Sequence, residues 1–369
     1  MKLTTRKPLV IMISPLATMI YHMGGDMVRK PVILTCLTFS LALFLAGCGK
    51  DAPPPGSAVV VKIGQVSPLT GPQAHLGKDN DNGARLAIEE LNAKGVMIGG
   101  AKVKFELMSE DDQADPRTGT IVAQKLVDAK VAGVIGHLNS GTTIPASRIY
   151  NDAGIPQISP SATNPKYTHQ GYKGAFRVMA NDVQQGKVLG EYAVAKLGAK
   201  KIAIIDDRTA YGQGLADEFE KAAKATGAAI VGREYTTDKA TDFRSILTNV
   251  KAKGPDLLFY GGMDSQAGPM VAQMQSLAVK AKFLAGDGVQ SPEFIKLAGK
   301  AANGVVASSP GVPLDKMPGG TGFTEMGAHC THQRRAGVPQ GVNVPCKENG
   351  SLKLEMLICI RVIQCQQHG

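Results

Sequence analysis

From Val59 onward, short β-branched apolar runs alternate with longer stretches whose apolar residues recur at helical spacing. The runs predict strands at 59–66, 131–136, 155–159, 201–206, 229–235, 256–260 and 282–285, and the alternation of Val103, Phe105 and Leu107 with polar residues predicts another at 103–111. The longer stretches predict helices at 84–94, 116–129, 142–151, 184–197, 211–226, 241–252, 264–277 and 291–298. Repeated strand–helix units imply parallel sheets with helices on both faces. The irregular stretch "NPKYTHQGYKGAFRVMANDVQQ" divides the series in two, so two α/β lobes are expected. Phe176, Arg177 and Val178 form an extended run suited to cross between them. The implied division is a first lobe over 59–178 and a second over 179–307.

In open α/β sheets ligands sit beyond the carboxyl ends of the strands. In the first lobe those ends carry Asn139, Ser140, Gly141, Thr142 and Thr143, then Pro160, Ser161, Ala162 and Thr163. In the second they carry Asp207, Arg208 and Tyr211, then Gly261, Gly262, Met263 and Asp264, then Gly286, Asp287 and Gly288. Hydroxyls and helix-start N–H groups favour an anion; a carboxylate favours a cation. A guest carrying both a carboxylate and an ammonium is an amino acid. Ser, Thr and Asp are also ordinary helix caps, so each loop alone is ambiguous.

Charge sharpens the picture. The formal net charge is +10 over 369 residues. Between Ala58 and Pro310, however, 29 Lys and Arg face 25 Asp and Glu, a net of +4. No basic stripe with interleaved aromatics suggests nucleic acid. The surplus lies toward the ends. "MVRKPVILTCLTFSLALFLAGCGK", from Met27, has a basic start, an apolar core and small residues before Cys48. That is the layout of a secretory signal. "LAGC" resembles a bacterial lipoprotein box, which implies a lipid on Cys48. Residues 1–48 are thus read as extension and signal, and 49–58, rich in Pro, Gly and Ser, as a tether.

Several chemistries find little support. "YGQGLAD" half-mimics a dinucleotide fingerprint, with Glu234 downstream, but Asp217 stands where the third small residue belongs. Ser140 lacks a nucleophile elbow, since Leu138 occupies the first glycine position. His75, His137 and His169 have no metal spacing, and "SEDDQAD" reads as a solvated strand end. No cofactor, metal or turnover is expected.

Together, "SPLTGPQAHLGKDNDNGARLAIEELNAKG", "DDQADPRTGTIVAQKLV", "GVIGHLNSGTTIPAS", "GIPQISPSATNP", "YGQGLADEFEKA", "LLFYGGMDSQAG" and "GDGVQSPEFIKLAG" resemble the periplasmic leucine/isoleucine/valine-binding proteins of ABC importers. The resemblance implies a two-lobed type I periplasmic-binding-protein clamshell, monomeric, that closes on one amino acid and delivers it to an ABC permease. It implies that Ser140 and Thr163 hold the ligand's carboxylate and ammonium and that Ser161 contributes its backbone carbonyl. Tyr211 closes over the ligand, Asp287 pairs with the ammonium where the family usually has Glu, and Asp182 stands at the lobe crossing. Leu76 and Met263 occupy positions that are often aromatic in the family, which leaves the accommodated side chain open. The same clamshell also serves as a sensor of amino acids or amides, and that alternative stays open.

The text changes after Met317. Residues 308–369 hold four of the six Cys and three of the seven His, without paired metal spacing or clear strand–helix rhythm. Family members instead return to the first lobe here. A shifted reading frame or shortened gene is expected, with a divergent C-terminal module as the alternative. An incomplete first lobe would weaken folding and closure.

Overall fold

The computed structural model describes residues 58–310 and two short strands further on, Val342–Asn343 and Ile358–Val362. The signal, the tether and most of the tail lie outside the described residues.

Two sheets organise the chain. The first contains β1 (Val59–Ser67), β2 (Met97–Ile98), β3 (Ala101–Asp111), β4 (Gly133–Gly136), β5 (Gln157–Ser159) and β6 (Ala175–Arg177). Its order is β2-β3-β1-β4-β5-β6, parallel except for the β2–β3 hairpin. The second contains β7 (Lys201–Asp206), β8 (Ala229–Tyr235), β9 (Leu257–Gly261), β10 (Lys282–Ala285) and β11 (Val306–Pro310). These run parallel in the order β11-β10-β9-β7-β8. The tail strands β12 (Val342–Asn343) and β13 (Ile358–Val362) extend this second sheet, β13 antiparallel to β11. The described strands of the tail therefore join the second sheet.

Each sheet reverses its strand order at one point. β1 lies between β3 and β4, and β7 lies between β8 and β9. The crevice at such a reversal is where open α/β sheets place a ligand. Phe176, expected to cross between lobes, instead sits in the edge strand β6, in register with Ile158 of β5. The crossing follows at Val178–Asn181 and enters the helix Asp182–Ala195.

Helix α1 (Ala74–Lys94) begins ten residues before the predicted start. Its opening turns are polar and hold Gly77, so no apolar stripe announces them. Gly77 fits because a side chain there would collide with Pro68, a Cβ falling 1.9 Å from its carbonyl oxygen. The Ser67 hydroxyl donates to the Gly77 carbonyl at 2.8 Å, tying the helix start to the end of β1. The remaining helices match their predictions to within a few residues: α2 (Pro116–Asp128), α3 (Ser140–Asp152), α5 (Asp182–Ala195), α6 (Ala210–Ala225), α7 (Arg244–Ala252), α8 (Asp264–Ser276) and α9 (Pro292–Ala298). A short α4 (Lys166–His169) lies in the stretch read as irregular.

The second sheet is covered on both faces. On one, Leu189, Leu215 and Phe219 pack with Ile202, Ile204 and Phe259; on the other, Phe243, Met270 and Phe294 pack with Ile205, Tyr260 and Val289. Phe219 and Phe259 stack with centroids 3.7 Å apart. Burying each such side chain stabilises by about 1.5–3 kcal/mol, which makes this lobe a firm platform. In the first lobe Val66, Leu126, Val134 and Tyr150 form the core.

The carboxylate cluster read as a solvated strand end is more ordered than that. Asp112 is fully buried and its Oδ2 lies 2.9 Å from His137 Nδ1. Asp115 caps α2 by accepting from the Thr118 N–H at 2.7 Å. Both carboxylates are thus committed to contacts within the fold.

Candidate functional site

A cavity of about 190 Å³ opens between the carboxyl ends of the two sheets. Drug-sized pockets run to roughly 300–1,000 Å³, so this one suits a smaller guest. From the first lobe come Leu76, Asp79 and Asn80 of α1, Leu138 and Asn139 after β4, Ser140 at the start of α3, and Ser161 after β5. From the second come Tyr211 after β7, Met263 after β9, and Asp287 and Gly288 after β10. Every strand end at a reversal point thus contributes.

The first-lobe wall is built by a helix start. Ser140 is the first residue of α3, two residues earlier than predicted, with Asn139 at the cap position. The Ser140 hydroxyl accepts from the Asn164 N–H at 3.2 Å. The Ser161 hydroxyl donates to the Leu138 carbonyl at 3.0 Å. Thr142 and Thr143 turn away from any guest, both donating to the Asn139 carbonyl. The helix dipole at this end favours negative charge.

The opposite wall is acidic. Asp287 Oδ1 accepts from the Tyr211 hydroxyl at 2.8 Å and from Gln185 Nε2 at 2.7 Å. The Tyr211 hydroxyl in turn accepts from the Gly288 N–H at 3.0 Å. Burial pushes the Asp287 carboxyl up to about 6, although the Tyr211 hydrogen bond opposes the shift. Burial also raises Tyr211, and the Asp287 charge adds to it. A carboxylate held in this state gains from a cation brought beside it.

Six of the residues singled out in the sequence therefore share one cavity: Ser140, Ser161, Tyr211, Asp287, Leu76 and Met263. Thr163 and Asp182 do not line it. Both are fully buried just behind it, with the Asp182 N–H donating to the Thr163 carbonyl at 2.9 Å. Burial lifts the Asp182 carboxyl to about 8; the nearby Thr163 hydroxyl and the Arg177 charge offset only part of that. Neither Asp182 oxygen has a hydrogen-bond partner.

Sequence reasoning missed Asp79, Asn80, Leu138 and Gln185. Asp79 and Asn80 follow Leu76 at i+3 and i+4, so recognising the early start of α1 places all three on one face. Gln185 sits one turn into α5, where nothing in the local pattern marks it.

Besides the Asp182–Thr163 bond, further hydrogen bonds cross between the lobes. Asn164 Nδ2 donates to the Ala210 carbonyl at 2.6 Å. His75 Nε2 lies 2.6 Å from Asp264 Oδ2, which also receives the Ser291 hydroxyl. Asp264 is fully buried and His75 only partly. The glycines of "YGQGLAD" lie inside α6, not in a phosphate loop. Gly212 packs against Asp207 and the Gly261 carbonyl, and Asp217 pairs with Arg233 at 2.7 Å. Glu234 pairs with Lys253 at 3.0 Å. Among the described residues no cluster of His, Cys, Asp and Glu could hold a metal ion.

Two α/β lobes with a small cavity between their switch points, a helix start on one wall and a carboxylate on the other, have the architecture of a solute-binding protein. The profile of the periplasmic binding proteins matches residues 60–326, and the chain belongs to that family. A Leu/Ile/Val-binding protein homolog of Brucella abortus is 42% identical over 246 residues, 67% of this chain and 66% of that protein. An amino acid binding protein of Pseudomonas aeruginosa is 41% identical over 65% of this chain and 63% of its own length. The matched region thus spans just under two thirds of these relatives. Among solved structures, a branched-chain amino acid transporter substrate-binding protein from Streptococcus pneumoniae, in complex with isoleucine, aligns with a TM-score of 0.67. It is 28% identical, over 75% of this chain and 78% of that one. A leucine-binding protein from Thermotoga maritima aligns with a TM-score of 0.69 and 26% identity, over 74% and 76%.

Proposed function

We propose that this chain captures a free amino acid outside the cytoplasm, of the branched-chain or another neutral aliphatic kind, and presents it to an ABC permease. The observation that carries the reading is the opposed polarity of one cavity: Ser140 at a helix start and Ser161 in the loop after β5, against Asp287 with Tyr211. A zwitterion is buried only where both charges find partners. Its carboxylate would meet the α3 start and its ammonium Asp287. Thr163 and Asp182 act from behind this wall, where the lobes cross.

Closure follows from the same division. A guest held by both lobes stabilises the closed arrangement, whereas a guest held by one shifts nothing. The closed surface is then what the permease reads. The relatives named above support an amino acid as cargo and binding, not turnover, as the output. The apolar run before Cys48 and "LAGC" support export and a lipid anchor on that cysteine, with the folded lobes working as a monomer.

A thermal-shift and calorimetry screen of the twenty amino acids on residues 49–369 tests the reading. Leucine, isoleucine or valine should raise the melting temperature and bind one to one. A cooperative melt unmoved by every amino acid would refute it. Radiolabelled palmitate should enter the full chain in a bacterial host and be lost in Cys48→Ala.

A further inference from the structure

Lysine gathers at the end of the second lobe that faces away from the cavity. Strands β7 to β11 run parallel, so the five connections leading into them lie together at their amino ends. The cavity is lined from the other end, after the strands. Taken from the last two residues of each α-helix to the first of each strand, the connections read VAKLGAKK, KATGAA, KAKGPDL, QSLAVKAK and LAGKAANGVV. They hold nine lysines and one acid, Asp256. Asp256 is itself occupied, accepting from the Lys200 and Lys201 backbone N–H groups at 2.9 and 3.1 Å. Lys224 and Lys253 have carboxylate partners in Glu220 and Glu234, and Lys251 and Lys282 donate to the Leu277 and Leu197 carbonyls. The ammonium groups of Lys196, Lys200, Lys201, Lys280 and Lys300 have no partner among the described residues, and all five side chains are exposed.

Lysine near a helix carboxyl end complements the helix dipole, but that rule applies equally to the first lobe. There the corresponding connections, into β4, β5 and β6, carry two lysines and two aspartates beside one histidine. The excess is therefore particular to the second lobe. One border of this face is also amphipathic. Lys280, Lys282 and Lys300 surround a groove of about 510 Å³ whose lining adds Val271, Val279, Phe283 and Val305. We propose that this face binds the anionic headgroups of a phospholipid membrane. Mobile point charges spread over five loops match a fluid layer of phosphates, which attracts each lysine brought near it. The connections hold no arginine and no aromatic residue, the side chains that grip and stack on nucleic acid. The groove offers apolar surface directly beneath its ammonium groups, as the glycerol and upper acyl region lies beneath the phosphates. Because the face lies opposite the cavity, the proposal holds whatever the cavity takes.

Co-sedimentation of residues 49–369, free of any acyl chain, with lipid vesicles tests the proposal. At low ionic strength the partition coefficient onto mixed phosphatidylglycerol and phosphatidylcholine should exceed that onto phosphatidylcholine alone by about a hundredfold or more. It should collapse at about 1 M salt, where the Debye length is about 3 Å. Each lysine near an anionic surface contributes about fivefold, so Lys200→Gln, Lys280→Gln and Lys300→Gln together should lower binding about a hundredfold. The melting temperature and the amino-acid affinity of that triple variant should match wild type. The first-lobe pair Lys130→Gln and Lys173→Gln should leave vesicle binding within a few-fold of wild type. Equal binding to both kinds of vesicle, binding that survives high salt, or a folded triple variant that binds like wild type overturns the proposal. Capture of an acidic peptide or of duplex DNA at low salt, without capture by vesicles, also overturns it.

Discussion

Replacing Asp287 by asparagine should make the ligand-free protein more stable while depriving it of its ligand. In the folded chain the Asp287 carboxyl sits at about 6 because burial disfavours its charge. In an unfolded chain it sits near 3.9. Two units correspond to about 3 kcal/mol; access through the cavity brings the figure nearer about 2 kcal/mol. The sign follows from linkage. A carboxyl raised on folding contributes stability in full below about pH 4 and loses it as the pH rises through about 6. At pH 7.5 the wild-type protein therefore carries the whole penalty. Asparagine carries none, and its Oδ1 still accepts from Tyr211 and Gln185, the donors that hold Asp287. Relief of Asp182, whose carboxyl is also raised by the Asp287 charge, acts in the same direction. A melt followed by circular dichroism should show Asp287→Asn roughly 4–8 °C above wild type at pH 7.5, with the gap closing by pH 4. Calorimetry on the same samples should show amino-acid affinity falling at least about a hundredfold. A pH-independent gap, or undiminished affinity, would refute the argument.

Other perturbations address separate parts of the site. His75→Ala removes the cross-lobe bond to Asp264 without touching the cavity; the ligand off-rate by stopped flow should rise about tenfold with the on-rate unchanged, the scale of one hydrogen bond to a charged group. Tyr211→Phe keeps the ring but removes its bonds to Asp287 and Gly288; affinity should fall about tenfold with the melting temperature within a few degrees of wild type. Gly77→Ala drives a methyl into the Pro68 backbone and should destabilise by about 2–3 kcal/mol in urea titration; a wild-type midpoint would mean that the start of α1 can shift.

The parts of this fold that bury one face were readable in the chain. β7 and β10 begin and end where their apolar runs do, because a strand covered on both sides is apolar through its buried positions. The start of α1 was not readable, because the face that borders the cavity is polar and the turn near Pro68 needs Gly77. Both are demands of tertiary contact, not of local pattern. The clamp residues Ser140, Ser161, Tyr211 and Asp287 were legible as strand-end chemistry. Asn80 and Gln185 were not, since an amide within a helix ordinarily faces solvent and only the folded chain shows what stands opposite. The cluster containing Asp112 misled for the converse reason: consecutive carboxylates suggest hydration, and nothing nearby in the sequence announces His137 as the partner 25 positions away.

The cavity draws its wall from six separate segments, the first at Leu76 and the last at Gly288. During synthesis or passage through a translocation pore, no growing fragment owns a complete pocket until almost the whole of both lobes has emerged. Cargo cannot act as a template for the early stages of assembly. Each lobe has to reach its native packing unaided, and any proteolytic nick that frees the β10 end would abolish capture while leaving most of the mass intact.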